Sequence, residues 1–349
     1  MTKTYAAVAM QLSAQSVEGC VDRAEVTDQV CAQIASVTEA VRASGVFIQQ
    51  YGGSPVKIAV LPEYLFTSYP GRISVPDFAA KVAFDEDGPE YEALGKMAQS
   101  LGIFIAGNAY ERDTHFPSLY FQASFVIDPS GNNVLRYRRL NSMFAPSPHD
   151  VWDKYLDIYG IDGVFPVAKT DIGNIAAIAS EEILYPEIAR AHALRGAEIF
   201  VHSSSEIGSP LKTPKMIAKQ ARAFENMAYV ISANTAGIQD PVLPRASADG
   251  NSMVVDFKGN VVAESNSGET FTAFADIDLA ALRAARRKPG MINSLSRQRT
   301  ALFALNYAGE THQRANGLIE VNDIVTPNRD YFRRVSEETI ERLAKDGLI

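Results

Sequence analysis

Cysteine is almost missing from this sequence: Cys20 and Cys31 are the only two among 349 residues. Both fall in a stretch read as one helix, and eleven residues at ~1.5 Å rise apiece put them beyond disulfide reach, so buried, reduced thiols are expected. Histidine is scarce as well. His115, His149, His192, His202 and His312 stand apart, without the paired helical spacing or cysteine company of a zinc site, so no metal is expected. No glycine-rich loop leads from a strand into a helix at the spacing a pyrophosphate needs, which leaves no cofactor, neither nicotinamide nor ATP. No apolar run approaches the ~20 residues of a membrane span, and the opening residues lack a basic region followed by an apolar stretch. A cytoplasmic protein with no membrane partner is the resulting expectation. Lys and Arg number 33 against 41 Asp and Glu, and the basic residues are scattered, so the footprint of a nucleic-acid binder is lacking and a small-molecule substrate is expected. A Gly-x-Ser-x-Gly elbow is also absent, which removes the usual serine-hydrolase reading.

What remains is enough apolar residue, 46%, for one globular domain with a tail. Tyr5 to Gln11 reads as a buried strand, and Val17 to Ala43 as a long helix with Val17, Val21, Ala24, Val30, Ile34, Val37 and Val41 at three- and four-residue spacing. Val56 to Leu61 predicts a second core strand. Pro89 to Ser100 predicts a helix, with proline in its first turn and Gly102 past its end, followed by a strand from Ile103 to Ala109. Two segments share one pattern at identical spacing: Phe125 to Asn132, with Asp128 and Gly131, and Met253 to Asn260, with Asp256 and Gly259. Each predicts strand, turn and strand. Two related halves follow, and with them a sheet-on-sheet core carrying helices outside. From Arg286 the periodicity weakens, with a last short helix near Ser336 to Ala344, so residues 286–349 read as an extension lying against a partner subunit.

Several polar positions close buried strands. Glu63 follows Val56 to Leu61, at the strand end where an open α/β sheet faces a crevice, and Glu111 ends the strand after Gly107. Arg138 and Arg139 end the first hairpin. Ser180 follows the apolar run Ile175 to Ala179 and leads through Glu181 and Glu182 to Tyr185, Pro186 and Glu187, a strand-to-helix elbow. Arg222 and Glu225 ride one turn apart on a helix whose other face carries Ile217, Ala221, Phe224 and Ala228. Singly, each has an ordinary explanation: a surface acid, a charged strand edge, a helix cap, a helical ion pair.

Together, in this order, they resemble the nitrilase (carbon-nitrogen hydrolase) superfamily over roughly Tyr5 to Asp278. The resemblance implies an α-β-β-α sandwich over residues 1–285, a homodimer or larger assembly, and a Glu-Lys-Cys triad that cleaves amides or nitriles through a thiol intermediate. Glu63 matches the family's general base and Glu111 an auxiliary glutamate. Two positions depart from it: Arg139 stands at the lysine position and Ser180 at the cysteine position. Tyr69, Glu181, Glu182, His149, Trp152 and His202 are candidate substrate contacts, with His149 and Trp152 in a long insertion between Pro146 and Gly160. A hydroxyl is a weaker nucleophile than a thiol, and arginine stays charged and offers only hydrogen bonds and positive charge. Three functions stay open. One is hydrolysis or acyl transfer at a small amide-like substrate, with Glu63 activating Ser180 and with Arg139 and the amide after Ser180 steadying the oxyanion. Another is a silenced site used for binding or scaffolding, and the third is a lyase or hydratase with Glu63 as base.

Overall fold

The computed structural model describes residues 4–349 apart from 72, 210, 240–243, 245–247, 249, 266–270, 310–311 and 321–322. In chain order the first half contains β1 (Tyr5–Gln11), β2 (Ser13–Gln15), α1 (Arg23–Gly52), β3 (Val56–Val60), α2 (Val75–Lys81), α3 (Pro89–Leu101), β4 (Phe104–Arg112), β5 (Tyr120–Ile127) and β6 (Asn133–Arg138). After the insertion helix α4 (Trp152–Val164) come β7 (Ala168–Thr170), β8 (Gly173–Ala179), α5 (Pro186–Leu194), β9 (Ile199–Ser204), α6 (Pro214–Asn226), β10 (Tyr229–Asn234) and β11 (Gly237–Gln239). The remainder is β12 (Met253–Val255), β13 (Val261–Glu264), β14 (Phe271–Ile277), α7 (Leu279–Arg287), α8 (Ala301–Gly309), β15 (Ile319–Glu320), β16 (Asp323–Ile324) and α9 (Arg329–Lys345).

Two six-stranded sheets form the centre, in the orders β14-β1-β3-β4-β5-β6 and β13-β12-β10-β9-β8-β7. Their connectivities match. Counted from β1, the first sheet has an antiparallel neighbour, then two parallel steps to β3 and β4, then antiparallel β5 and β6. Counted from β8, the second repeats this with β7, then β9 and β10, then β12 and β13. The duplicated turn motif sits at equivalent places. Asp128 Oδ1 accepts from the amides of Ser130 and Asn132, Asp256 Oδ1 from those of Lys258 and Asn260, and Gly131 and Gly259 take φ of 88° and 87°. That left-handed conformation is what each turn needs a glycine for.

Apolar side chains fill three layers. Val8, Ile105 and Phe125 of the first sheet pack under Val30, Ile34 and Leu94 of α1 and α3. Ala7, Val60, Ala177 and Ile231 meet between the sheets, and Ile178 and Phe200 pack under Ala189 and Ala223 of α5 and α6. Helix, sheet, sheet and helix thus stack as four layers, the expected sandwich.

Local details correct four expectations. Helix α1 begins at Arg23, because the Asp22 side chain caps the Glu25 amide at 3.0 Å, and it runs on to Gly53 at φ 82°. Cys20 therefore precedes the helix, and both thiols are free. Helix α9 starts earlier than its pattern indicated, at an Asn328 cap. Helix α6 buries Ala218, Lys219, Arg222, Ala223 and Asn226, while Ile217 and Phe224 face outward. Part of the tail builds a core with its own chain, contrary to expectation, since Leu318 inserts among Phe116, Leu119, Phe121 and Tyr155, and Arg329 bonds the Ile73 carbonyl at 2.8 Å. Apolar residues too sparse to make a core alone suffice when the insertion supplies the other half. No described helix is long and apolar enough to cross a membrane.

Candidate active site

Glu63 is buried in the loop after β3, where Tyr64 and Ser68 adopt positive φ, 65° and 62°. The second sheet pins this loop: the Glu63 amide donates to Ser204 O at 3.3 Å, and Thr235 Oγ1 donates to Glu63 O at 2.7 Å. Glu63 Oε1 accepts from Gln122 Nε2 at 2.8 Å and lies 3.6 Å from Arg139 Nη1. Gln122 projects from β5 and also accepts from Arg139 Nη1, at 2.6 Å. The rest of the Arg139 guanidinium is committed too, Nε to the Asn141 carbonyl at 2.6 Å and Nη2 to Glu181. Burial works against this charge, but Glu181 and Glu63 outweigh it and hold Arg139 above the usual arginine range.

Ser180 forms the elbow between β8 and a short 3-10 turn that leads to α5, and its φ is 49°. A left-handed serine is sterically costly and persists only where its surroundings impose it. Here the imposing group is His202. Its Nε2 donates to the Ser180 carbonyl at 2.8 Å, and Nδ1 and Ser232 Oγ share a hydrogen bond of 2.8 Å, in which the neutral ring accepts from the hydroxyl. Burial, with the Lys219 charge added, holds the imidazole well below the ordinary histidine range. Glu182 secures the other side of the elbow. It accepts from the Leu140 and Asn141 amides at 2.7 and 2.9 Å and from the Tyr137 hydroxyl at 2.7 Å, and burial raises its carboxyl. Arg222 caps the same turn through Ile183 O at 2.9 Å and Leu184 O at 3.2 Å, while pairing with Glu225 at 2.7 Å.

The Ser180 hydroxyl is 4% exposed by residue, and it meets a lysine that sequence reading did not single out. Lys215 Nζ lies 3.2 Å from Ser180 Oγ, 3.4 Å from Ser204 Oγ and 3.1 Å from the Ser205 carbonyl. Thr213 caps α6 and Pro214 opens it, which plants Lys215 at the second helical position. One turn on, buried Lys219 pairs with Glu206 at 2.7 Å.

Residues 10–287 match the carbon-nitrogen hydrolase family. The chain belongs to that family. It is 28% identical to a Pseudomonas protegens hydrolase in the pqqF 5' region over 53% of this chain and 60% of the relative. It is 27% identical to a Bradyrhizobium diazoefficiens formamidase over 69% and 66%, and 22% identical to a Helicobacter acinonychis formamidase over 63% and 64%. These matches span about two thirds or less of the relatives' lengths. In fold it resembles a Helicobacter pylori carbon-nitrogen hydrolase, with TM-score 0.63, 19% identity, and 87% and 98% of the two chains covered. Saccharomyces cerevisiae Nit3, of branch 10 of the nitrilase superfamily, gives 0.61 and 18% over 82% and 94%.

Within this family framework the structure gathers Glu63, Arg139 and Glu181 into one network, with Tyr69 nearby, its ring 6.3 Å from that of Tyr64. Ser180, His202 and Lys215 form a second group, and among the described residues no hydrogen bond joins Ser180 to Glu63. Glu111 lies elsewhere. It accepts from Tyr91 of α3 and pairs with Arg136 at 3.1 Å, on the helix-covered side of β4, because its parity matches Ile105 and Ala109. The His149 and Trp152 rings lie 6.4 Å apart, tilted by 49°, in the insertion, where the His149 carbonyl receives the Asn316 amide of the tail. Glu182 is consumed in holding the elbow. Lys215 and Gln122 escaped notice because the one is an ordinary lysine behind a Thr-Pro helix start and the other a mid-strand polar residue. Among the described residues no group of three or more His, Cys, Asp or Glu is arranged to hold a metal.

Proposed function

We propose that this protein hydrolyses, or transfers the acyl group of, a small non-peptide amide-like substrate, with Ser180 as the nucleophile. The observation that carries the reading is the elbow itself: a serine at φ 49°, held by His202, at strand ends that also present Glu63 and Arg139. Strain kept at a buried polar junction favours a functional role over a mere helix cap. The formamidases among the relatives support a small amide as the substrate class. Ammonia release from a panel of amides, ureas and nitriles tests it, with turnover in the wild type and only background in Ser180→Ala. Undiminished release in a pure Ser180→Ala preparation would defeat the covalent mechanism.

One observation favours a silenced site used for binding. Arg139 is drawn to Glu63, Gln122, Glu181 and the Asn141 carbonyl, which engages most of its five N–H donors before any oxyanion forms. Amidase activity gained in a Ser180→Cys, Arg139→Lys double variant of an inactive parent would establish that second reading.

We also propose a homodimer or larger assembly. Ile217, Phe224, Leu184 and Leu194 are exposed around α5 and α6, and Leu302, Phe303 and Leu305 are exposed on α8, whose Tyr307 bonds Glu187 of α5 at 2.9 Å. Apolar side chains in such number on adjoining helices suit a second copy of the chain. Light scattering should give at least twice 38.0 kDa, and a monomer mass would contradict the proposal.

A further inference from the structure

Resting on Ser180 as nucleophile, we infer that Lys215, and not Glu63, is the base that takes the Ser180 proton. Glu63 Oε1 receives Gln122 and faces the Arg139 cation, Oε2 is buried without a hydrogen-bond partner, and among the described residues no hydrogen bond joins the carboxylate to Ser180. Lys215 Nζ is instead within hydrogen-bond distance of the hydroxyl, and among the described residues it forms no ion pair. Its three neighbours fit a proton carrier. A neutral amine has two N–H groups and one lone pair: the N–H groups point to the Ser205 carbonyl and Ser204 Oγ, and the lone pair receives the Ser180 proton. The ammonium has three N–H groups, and the same three oxygens accept them once the Ser180 proton has gone. Neither state needs the side chain to move. Lys219 cannot substitute, since it is buried against Glu206.

The step balances without any further reagent. Ser180 Oγ bonds to the substrate carbonyl carbon as its proton passes to Lys215 Nζ, and the carbonyl π pair moves onto oxygen. Collapse of the tetrahedral adduct breaks the C–N bond, and Lys215 returns the proton to the departing nitrogen. Water then attacks the acyl-serine, giving a proton to Lys215, and the C–O bond to Ser180 breaks as that proton returns to Oγ. The amine and the carboxylic acid leave. Glu63 and Arg139 are left to hold the first-sheet side of the site.

The test uses the full-length chain and a fluorophosphonate, which phosphonylates an activated serine with loss of fluoride. Peptide mass spectrometry should place the adduct on Ser180. Labelling should slow about 100-fold or more in both Lys215→Ala and Lys215→Arg, the scale of general-base catalysis. Added methylamine should restore part of the rate in Lys215→Ala, an effect that a purely structural lysine cannot produce. Circular dichroism and melting of both variants confirm that they are folded. Labelling of Lys215→Arg at close to the wild-type rate overturns the inference, because arginine keeps the charge but cannot accept a proton; Ser180 remains the nucleophile in that outcome. No adduct on wild-type Ser180, with turnover persisting in Ser180→Ala, overturns the covalent reading and the base assignment with it.

Discussion

The two sides of the site differ in how their charges are settled. Around Arg139, Glu63 and Gln122 from the first sheet and Glu181 from the turn after β8 form a network in which the cation meets two carboxylates and an amide oxygen. On the second-sheet side, Ser180, Ser204, His202 and Lys215 are joined by hydroxyls, a carbonyl and a neutral ring, with the lysine facing only oxygens that carry no formal charge. A closed ion-pair network resists change of protonation, since altering one member strands the others in a medium that penalises lone charge. Lys215 stands outside that network, with no carboxylate in ion-pair range among the described residues. In the proposed mechanism the Arg139 network frames the site and Lys215 carries the proton.

The sharpest way to break that contrast is to remove one cation from each side and compare stability. Arg139→Ala leaves buried Glu63 without its cation and should cost about 3–5 kcal/mol. Adding Glu63→Gln should recover part of the loss, a coupling that a double-mutant cycle reads directly. Lys215→Ala leaves only hydroxyls and a carbonyl short of a partner and should cost about 0.5–1.5 kcal/mol. Urea unfolding measures all three, with the midpoint and slope reported separately. Equal costs on the two sides would mean that the charges are not divided as described.

Much of this was legible beforehand. Strands β1, β4 and β8 were readable because they are buried on both faces and so run apolar, and the duplicated Asp-x-x-Gly turns pointed to two related halves. Glu63 and Ser180 stand where apolar strands stop and Arg139 follows the first hairpin, but it was their order and contexts together, resembling the nitrilase pattern, that singled them out. What sequence could not give was side-chain direction beyond a strand end. Glu111 closes a strand just as Glu63 follows one, yet the parity of β4 sends it under α3 to Tyr91. Helix α6 shows the same limit. Its buried Lys219, Arg222 and Asn226 find Glu206, the elbow carbonyls and the helix backbone as partners, while Ile217 and Phe224 face outward. Lys215 was invisible because its partner is 35 residues away.

Acid offers a smaller but more selective probe of the second-sheet side. His202 is buried and neutral, and His192, packed against Tyr137 and Phe165 at 5.1 and 5.6 Å, is pushed by burial down to about 3. In the unfolded chain both rings titrate near 6.5. Above that pH neither state binds the proton and the stability is complete; as pH falls below 6.5 the unfolded chain takes up protons that the native state refuses, and stability declines until the native rings titrate. Each ring should contribute about 1.4 kcal/mol per pH unit in that window. Unfolding at pH 7.5, 6 and 5 should therefore show a slope that His192→Leu and His202→Gln each reduce by one proton. The two variants should part company at Ser180. His192→Leu leaves the elbow untouched, whereas His202→Gln weakens the bond that keeps Ser180 at φ 49° and should slow fluorophosphonate labelling as well. A slope unchanged in His202→Gln would mean that this ring binds its proton as readily in the native protein as in the unfolded chain, so that burial does not hold it neutral beside Ser180.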